Sequence, residues 1–232
     1  MAVPRARPLL GDTRPTWAQL TLAACLIAVV LIGLLFSGQT GPDAFDNAID
    51  SPVISFFNGD GLLPWLILPG SLIPAIVISA VTAAGCLIAR RLNGAVLAVI
   101  VVPAAAGLDD GLLKHLFHRT YLGALSMPSG HTTSVVAMAA TLAILLLVPP
   151  QQARTRTARV VLVIAACVIA AVVAVGVIGL RFHYFTDTVA GAAVGVGTVL
   201  ALALLLDLAT KVIGRPRHLL REPEPLPEQL RS

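Results

Sequence analysis

The sequence predicts an all-α fold, an integral membrane bundle of six transmembrane helices. Three observations lead there. Of the 232 residues, 57% are hydrophobic and only 12% charged, with a mean hydropathy of +0.89; that composition cannot supply the polar surface a soluble domain of this size needs. The apolar residues gather into six runs of roughly 20 residues each, the length of helix that crosses a bilayer. The basic residues then fall almost entirely on one side of those runs.

Residues 1–15 carry Arg5, Arg7, Arg14 and three prolines and read as a flexible cytoplasmic tail. The run Trp17 to Phe36 is the first span; no small-x-small cleavage site follows it, so it is read as retained rather than as a signal peptide. Ser37 to Pro69 contains Asp43, Asp46, Asp50 and Asp60 but no Lys or Arg. Within it Phe45, Ile49, Val53 and Phe56 recur at helical spacing, which predicts an amphipathic element in the membrane interface. Pro52 is expected to start a second part of that element, and Trp65 to anchor it. The second span begins near Leu66 or Ser71, with Pro69 and Pro74 at its start, and ends at Ala89 before Arg90 and Arg91. The third runs from Gly94 to Leu113 with a kink expected at Pro103. A polar connection, Lys114 to Gly130, leads to the fourth span, His131 to Val148, which Pro149 and Pro150 stop. After a basic linker, Gln151 to Arg159, come the fifth span (Val160 to Leu180), a short polar link (Arg181 to Thr186) and the sixth span (Asp187 to Val212). The domain thus covers 16–213. The segment 214–232 is rich in Pro, Arg and Glu and reads as a disordered cytoplasmic tail.

Six spans place both termini on one side. That side collects 13 of the 16 Lys and Arg residues, which sets the termini in the cytoplasm of a cell (inner) membrane protein. The other side keeps Lys114, Arg119 and Arg181. A net charge of +4 spread as short juxtamembrane clusters gives no reason to expect nucleic acid as a partner. Cys25, Cys86 and Cys167 are scattered through apolar runs, so neither a disulfide framework nor a metal site is expected.

The three exceptional cations are not alone. The ends of spans three to six bring Lys114, Arg119, Ser129, Gly130, His131, Arg181, His183 and Asp187 to the same extracytoplasmic face, where ionisable groups are functional candidates by default. Pro128-Ser129-Gly130-His131 reads as a helix start: Ser129 suits an N-cap, Gly130 permits close backbone approach, and the free N–H groups and dipole favour a phosphate. His131 can give or take a proton near neutral pH. His183 and Asp187, four residues apart, share a face if the sixth helix begins there; a carboxylate beside an imidazole fixes its tautomer and makes it a better nucleophile. Asp110, four residues before Lys114, is expected to pair with it. Gly191, Gly195 and Gly197 read as a close-packing face of the sixth span.

These residues resemble the type 2 phosphatidic acid phosphatase superfamily, whose motifs are Lys-x6-Arg-Pro, Pro-Ser-Gly-His and Ser-Arg-x5-His-x3-Asp. The second motif is intact at Pro128 to His131 and the His-x3-Asp half of the third at His183 and Asp187. The resemblance implies that His183 is the nucleophile and forms a phosphohistidine, that Asp187 orients it, and that His131 protonates the leaving group. It further implies that Lys114, Ser129 and Gly130 hold the phosphoryl oxygens, with no metal or other cofactor. Two positions depart from the pattern. Tyr121 stands where the first motif has arginine, and Val177 where the third does. Arg119 is the expected substitute for the first. Arg181, one helical turn beyond Val177 and shifted by ~6 Å, is expected to substitute for the second.

The expected activity is hydrolysis of a lipid phosphomonoester or diphosphate at the bilayer surface. A phosphatidic acid-type substrate is favoured, with an undecaprenyl diphosphate carrier as the alternative. An anion transporter would place its ionisable groups deep within spans and in broken helices, whereas here they gather at one face. A lipid-phosphate-binding protein without turnover is the rival that the two altered motif positions raise.

Overall fold

The computed structural model describes residues 8–11, 16–58, 61–148 and 153–213. The chain forms nine α-helical segments among these residues and one small hairpin. Helix α1 (Thr16–Phe36) is followed by α2 (Ala44–Phe56), a single turn α3 (Leu63–Leu66), a 3-10 turn (Leu68–Gly70) and α4 (Leu72–Ile88). Next, α5 (Leu92–Leu108) passes through a π-helical turn (Asp109–Leu113) into α6 (Lys114–Phe117). Strands β1 (Thr120–Tyr121) and β2 (Ala124–Leu125) pair antiparallel. Helices α7 (Gly130–Leu147), α8 (Ala153–Gly179) and α9 (Phe185–Ile213) complete the chain.

Among the described residues five helices are long and apolar enough to cross a membrane: α1, the continuous Leu92–Phe117, α7, and the apolar parts of α8 and α9. The second run differs from expectation. Pro69 and Gly70 fall in the 3-10 turn, so α4 keeps 17 residues. That is about 25 Å of helix, short of a ~30 Å hydrocarbon core. Pro52 does not divide the interfacial element; α2 runs through it as one helix. Pro103 likewise lies inside α5 without ending it. The third span does not stop at Leu113 but winds on to Phe117, and the basic linker before the fifth span is already helical from Ala153. The expected tails fall largely outside the described residues. Within the first, Leu9 and Leu10 are buried, and their N–H groups donate to the two oxygens of Asp207 in α9, at 2.6 and 2.9 Å.

Helices α7 and α9 cross at the centre; α1 flanks α9, α4 pairs with α5, and α8 packs on α7 and on α2. Small residues make the central crossing possible. A Cβ on Gly191 would lie 2.7 Å from the Ser129 carbonyl, and one on Gly195 2.7 Å from the Thr133 carbonyl. Gly197 faces α1 more loosely, 3.4 Å from Cys25. Beneath the Lys114 to Gly130 connection, Val29, Leu113, Phe117, Met127, Ala190 and Val194 form a second apolar cluster that ties α1, α6 and α9 together.

The orientation of α2 is inverted relative to an ordinary surface helix. Phe45 and Phe56 point outward, while Asp46 and Asp50, four residues apart, are buried. The apolar stripe therefore faces away from the bundle and the acidic stripe faces into it, against the start of α9.

The glycines separate into two classes by these distances. Gly191→Ala and Gly195→Ala push backbone against backbone and should each destabilise the detergent-solubilised protein by about 1–3 kcal/mol, whereas Gly197→Ala should be neutral. Thermal unfolding of the three variants checks this.

Candidate active site

The helix α7 begins where the sequence places it. Ser129 is its N-cap residue in extended conformation, but its side chain makes no cap hydrogen bond. Its hydroxyl accepts instead from Thr132 Oγ1 at 3.1 Å, and the residue is fully buried. The first-turn N–H groups of α7 are therefore uncapped by a side chain, the arrangement that receives an anion. The N–H of Ser129 donates to the Asp187 carbonyl at 3.0 Å, which fixes the start of α7 directly on the first turn of α9.

The helix α9 begins at Phe185, so His183 precedes it and does not share a helical face with Asp187. The two meet for a different reason. Asp187 stands in the first turn, and its carboxylate Oδ2 folds back to accept the Tyr184 N–H at 3.1 Å, in the manner of a capping box. That turn places Oδ2 3.8 Å from His183 Nδ1, too long for a hydrogen bond. The near partner of Nδ1 is the Ser126 carbonyl at 2.8 Å. A carbonyl only accepts, so Nδ1 carries the proton and Nε2 keeps its lone pair.

Beside these groups lies a cavity of about 610 Å³ whose lining includes Lys114, Gly130, His131, Arg181 and His183. Arg181 reaches it from a left-handed backbone conformation (φ 59°) at the end of α8, where its N–H closes on the Ile178 carbonyl at 2.8 Å. Lys114 pairs with Asp110 at 2.6 Å, as its spacing predicts, and Asp110 is well exposed. Asp109 also lines the cavity and was not singled out for it in the sequence. It is fully buried, neither oxygen has a hydrogen-bond partner, and a Cβ on Gly130 would lie 3.1 Å from its Oδ2. The π turn that carries it adds a residue to the register of this helix, the kind of local irregularity that re-aims side chains at a site.

A protein-family comparison spans the region that holds these residues. The PAP2 superfamily model covers residues 95–211. The chain belongs to the PAP2 superfamily. Members of this superfamily are phosphatases that act on lipid phosphates. Among solved structures, the chain is similar to a transmembrane PAP2-type phosphatidylglycerolphosphate phosphatase from Bacillus subtilis, with 19% identity and a TM-score of 0.65 over 85% of this chain and 99% of that one. At that identity the likeness concerns the fold, a helical membrane protein. No curated protein sequence matches the chain.

Against the PAP2 pattern, the two expected arginine substitutes part company. Arg181 lies at the cavity. Arg119 does not: it is fully buried behind the site. Its Nη2 bonds Asp46 Oδ2 at 2.5 Å, and its Nη1 bonds Asp187 Oδ1 at 2.7 Å and Thr186 Oγ1 at 2.6 Å. Its guanidinium also lies between the rings of Phe36, 4.7 Å away, and Tyr184, 4.3 Å away. Every strong partner of Arg119 is thus inside the protein, so it holds residues rather than phosphate. Val177, at the family's other arginine position, is core. Ser129 and Asp187 are likewise buried beneath the cavity surface rather than lining it.

Sequence reasoning missed Asp46 and Asp50. Asp46 accepts from the Thr186 N–H at 3.0 Å and from Thr186 Oγ1 at 2.9 Å; Asp50 accepts from the Phe185 N–H at 3.1 Å. Two carboxylates of α2 therefore cap α9 from outside its own sequence. The available signal was their own spacing: an acidic pair at i, i+4 on a helix without a single basic residue.

Burial, reinforced by the neighbouring Asp46 carboxylate, raises the Asp50 pKa from 3.8 to about 7. A raised carboxyl pKa means that ionisation costs more in the folded state. Stability from this group is thus full below pH ~4 and declines as pH rises through about 7. Asp50→Asn should flatten that part of a stability profile measured in detergent between pH 4 and 8. Arg119→Met, which strands two buried carboxylates, should cost about 3–5 kcal/mol, visible as a large fall in thermal midpoint.

Proposed function

We propose that this protein is a lipid phosphate phosphatase that works in two displacements at phosphorus, with His183 as nucleophile. The observation that carries the reading is the shared cavity of His183 and His131, with the Nδ1–H of His183 tied to the Ser126 carbonyl so that Nε2 faces reaction with its lone pair. Lys114, Arg181 and the first-turn N–H groups at Gly130 supply positive charge for the phosphoryl oxygens, which in PAP2 chemistry spread negative charge in the transition state. No metal ion is assigned a role.

In the first step His183 Nε2 forms a P–N bond while the P–O bond to the lipid breaks. His131, protonated, delivers its proton to the leaving oxygen. In the second step a water oxygen attacks phosphorus, the P–N bond breaks, and the water's proton passes to His131; inorganic phosphate leaves. Asp187 acts as a fixed negative charge 3.8 Å from His183, which favours the imidazolium-like state formed at phosphorylation.

The substrate is a phosphomonoester or diphosphate of a membrane lipid. A phosphatidic acid-type glycerolipid is the first choice; a polyprenyl diphosphate is the second, favoured by the second basic group at the cavity rim, Arg181. The site opens at the extracytoplasmic leaflet and the termini are cytoplasmic, on the strength of the basic-residue asymmetry. In this reading α4, extended by the 3-10 turn before it, is the sixth membrane crossing.

Phosphate release from phosphatidic acid, phosphatidylglycerol phosphate and undecaprenyl diphosphate in detergent tests the reading. Turnover should fall at least ~1,000-fold in His183→Ala, since loss of the nucleophile removes the covalent route. His131→Ala should lose ~100–10,000-fold, as for a general acid. EDTA should leave the rate within twofold. Wild-type rates with His183→Ala retained on all three lipids would sink the assignment of the nucleophile.

A further inference from the structure

The hydrogen bond that holds the His183 ring and the carboxylate charge beside it both lead back to Arg119. Its Nη1 holds Asp187, whose other oxygen lies 3.8 Å from His183 Nδ1. Its backbone carbonyl accepts the Ser126 N–H at 2.9 Å, and Ser126 in turn offers the carbonyl that takes the His183 Nδ1–H. What holds Arg119 is therefore what aims the histidine. The second carboxylate on Arg119 comes from Asp46, which is fully buried and lies in α2, outside the region that the family model covers.

We infer that Asp46 is a positioning residue for the phosphoryl transfer: by fixing Arg119 from the side opposite Asp187, it sets the orientation of His183 without touching substrate. This inference rests on the reading of His183 as nucleophile. Three features separate it from a general contribution to stability. First, the Arg119 guanidinium lies over the rings of both Phe36 and Tyr184, which confine it, and its two terminal nitrogens reach Asp46 and Asp187. Second, Thr186 bonds both Arg119 and Asp46, so the same carboxylate also fixes the first turn of α9 that carries Asp187. Third, Asp46 lies away from the cavity and from the phosphate-facing groups, Lys114, Gly130 and Arg181. Removing its charge leaves the phosphate cradle intact. With only Asp187 to pull on it, Arg119 relaxes toward that carboxylate, and the Ser126 anchor of the ring and the Asp187 charge beside it shift together.

The effect belongs to kcat. A displacement of about 1 Å in an attacking group costs on the order of 100-fold. Asp46→Asn keeps an oxygen to accept the Thr186 N–H but gives up the charge on Arg119. It should lower kcat by about 10- to 100-fold while KM changes less than threefold. Thr186→Val, nearly equal in volume, removes the hydroxyl that bonds both residues and should lower kcat in the same sense by a smaller factor. Active sites are counted by vanadate titration, so that loss of folded protein does not enter kcat. In parallel, ¹⁵N NMR of histidine-labelled protein in detergent reads the His183 ring. Wild type should show a single tautomer protonated at Nδ1, and Asp46→Asn a mixture. A raised KM with unchanged kcat would overturn the inference by making Asp46 a binding residue. So would kcat within twofold of wild type with an unaltered His183 spectrum in both variants. Were wild type inactive on every lipid phosphate tested, a tautomer mixture in Asp46→Asn would uphold the coupling while the phosphatase reading failed; an unaltered spectrum there would overturn both.

Discussion

A guanidinium fully removed from solvent is tolerable only when its charge is met, and the architecture around the site meets that of Arg119 at both terminal nitrogens, leaving only Nε without a hydrogen-bond partner among the described residues. Two carboxylates, one hydroxyl and two aromatic faces surround it. Desolvating such ions costs several kcal/mol each, and mutual attraction offsets that cost only in good geometry. The geometry here comes from four separate parts of the chain: α2 supplies Asp46, the end of α1 supplies Phe36, α9 supplies Thr186 and Asp187, and the loop after α6 supplies the arginine itself. None of these segments can shift without stranding a buried charge, so the ion cluster fixes their relative placement more sharply than apolar packing alone would.

The inverted helix α2 follows from the same constraint. Its acidic stripe must face inward to meet Arg119 and the uncapped N–H groups of Phe185 and Thr186. Its apolar stripe is then left on the outside, where lipid rather than water makes that exposure tolerable. The helix thus works as a cap for α9 carried on a membrane-facing strut. Phe45 stacks edge-on against Phe185 at 5.9 Å, which adds an aromatic contact at the junction.

The site itself separates into a surface and a support. Lys114, Gly130, His131, Arg181 and His183 meet the cavity. Ser129, Asp187, Arg119, Asp46 and Ser126 lie beneath and hold them. The Ser129 N–H to Asp187 carbonyl bond joins the two halves, so the uncapped start of α7 is fixed on the first turn of α9. The close approach of α7 and α9 at Gly191 makes that bond possible.

Much of this was legible in the sequence because it depends on local rules. Hydropathy located the apolar helices; α7 starts within a residue of its expected position, because a glycine follows an extended N-cap there. His131 and His183, expected together because both lie at span ends on one side, line one cavity, and the Lys114–Asp110 pair follows from i, i+4 geometry. The division of the second run at Pro69–Gly70 and the helical continuation past Leu113 were less legible, because propensity at element ends is weak against packing on the neighbouring helices. Sequence alone determined which residue types could do the chemistry and which helix ends carry them. Only the tertiary structure decided which of the two arginines lines the cavity. In sequence Arg119 and Arg181 are alike, each beside a span end, but a guanidinium goes where opposite charge is buried. Asp46, some seventy residues upstream of Arg119, draws it into the interior; among the described residues Arg181 forms no salt bridge with a carboxylate, and it stays at the cavity.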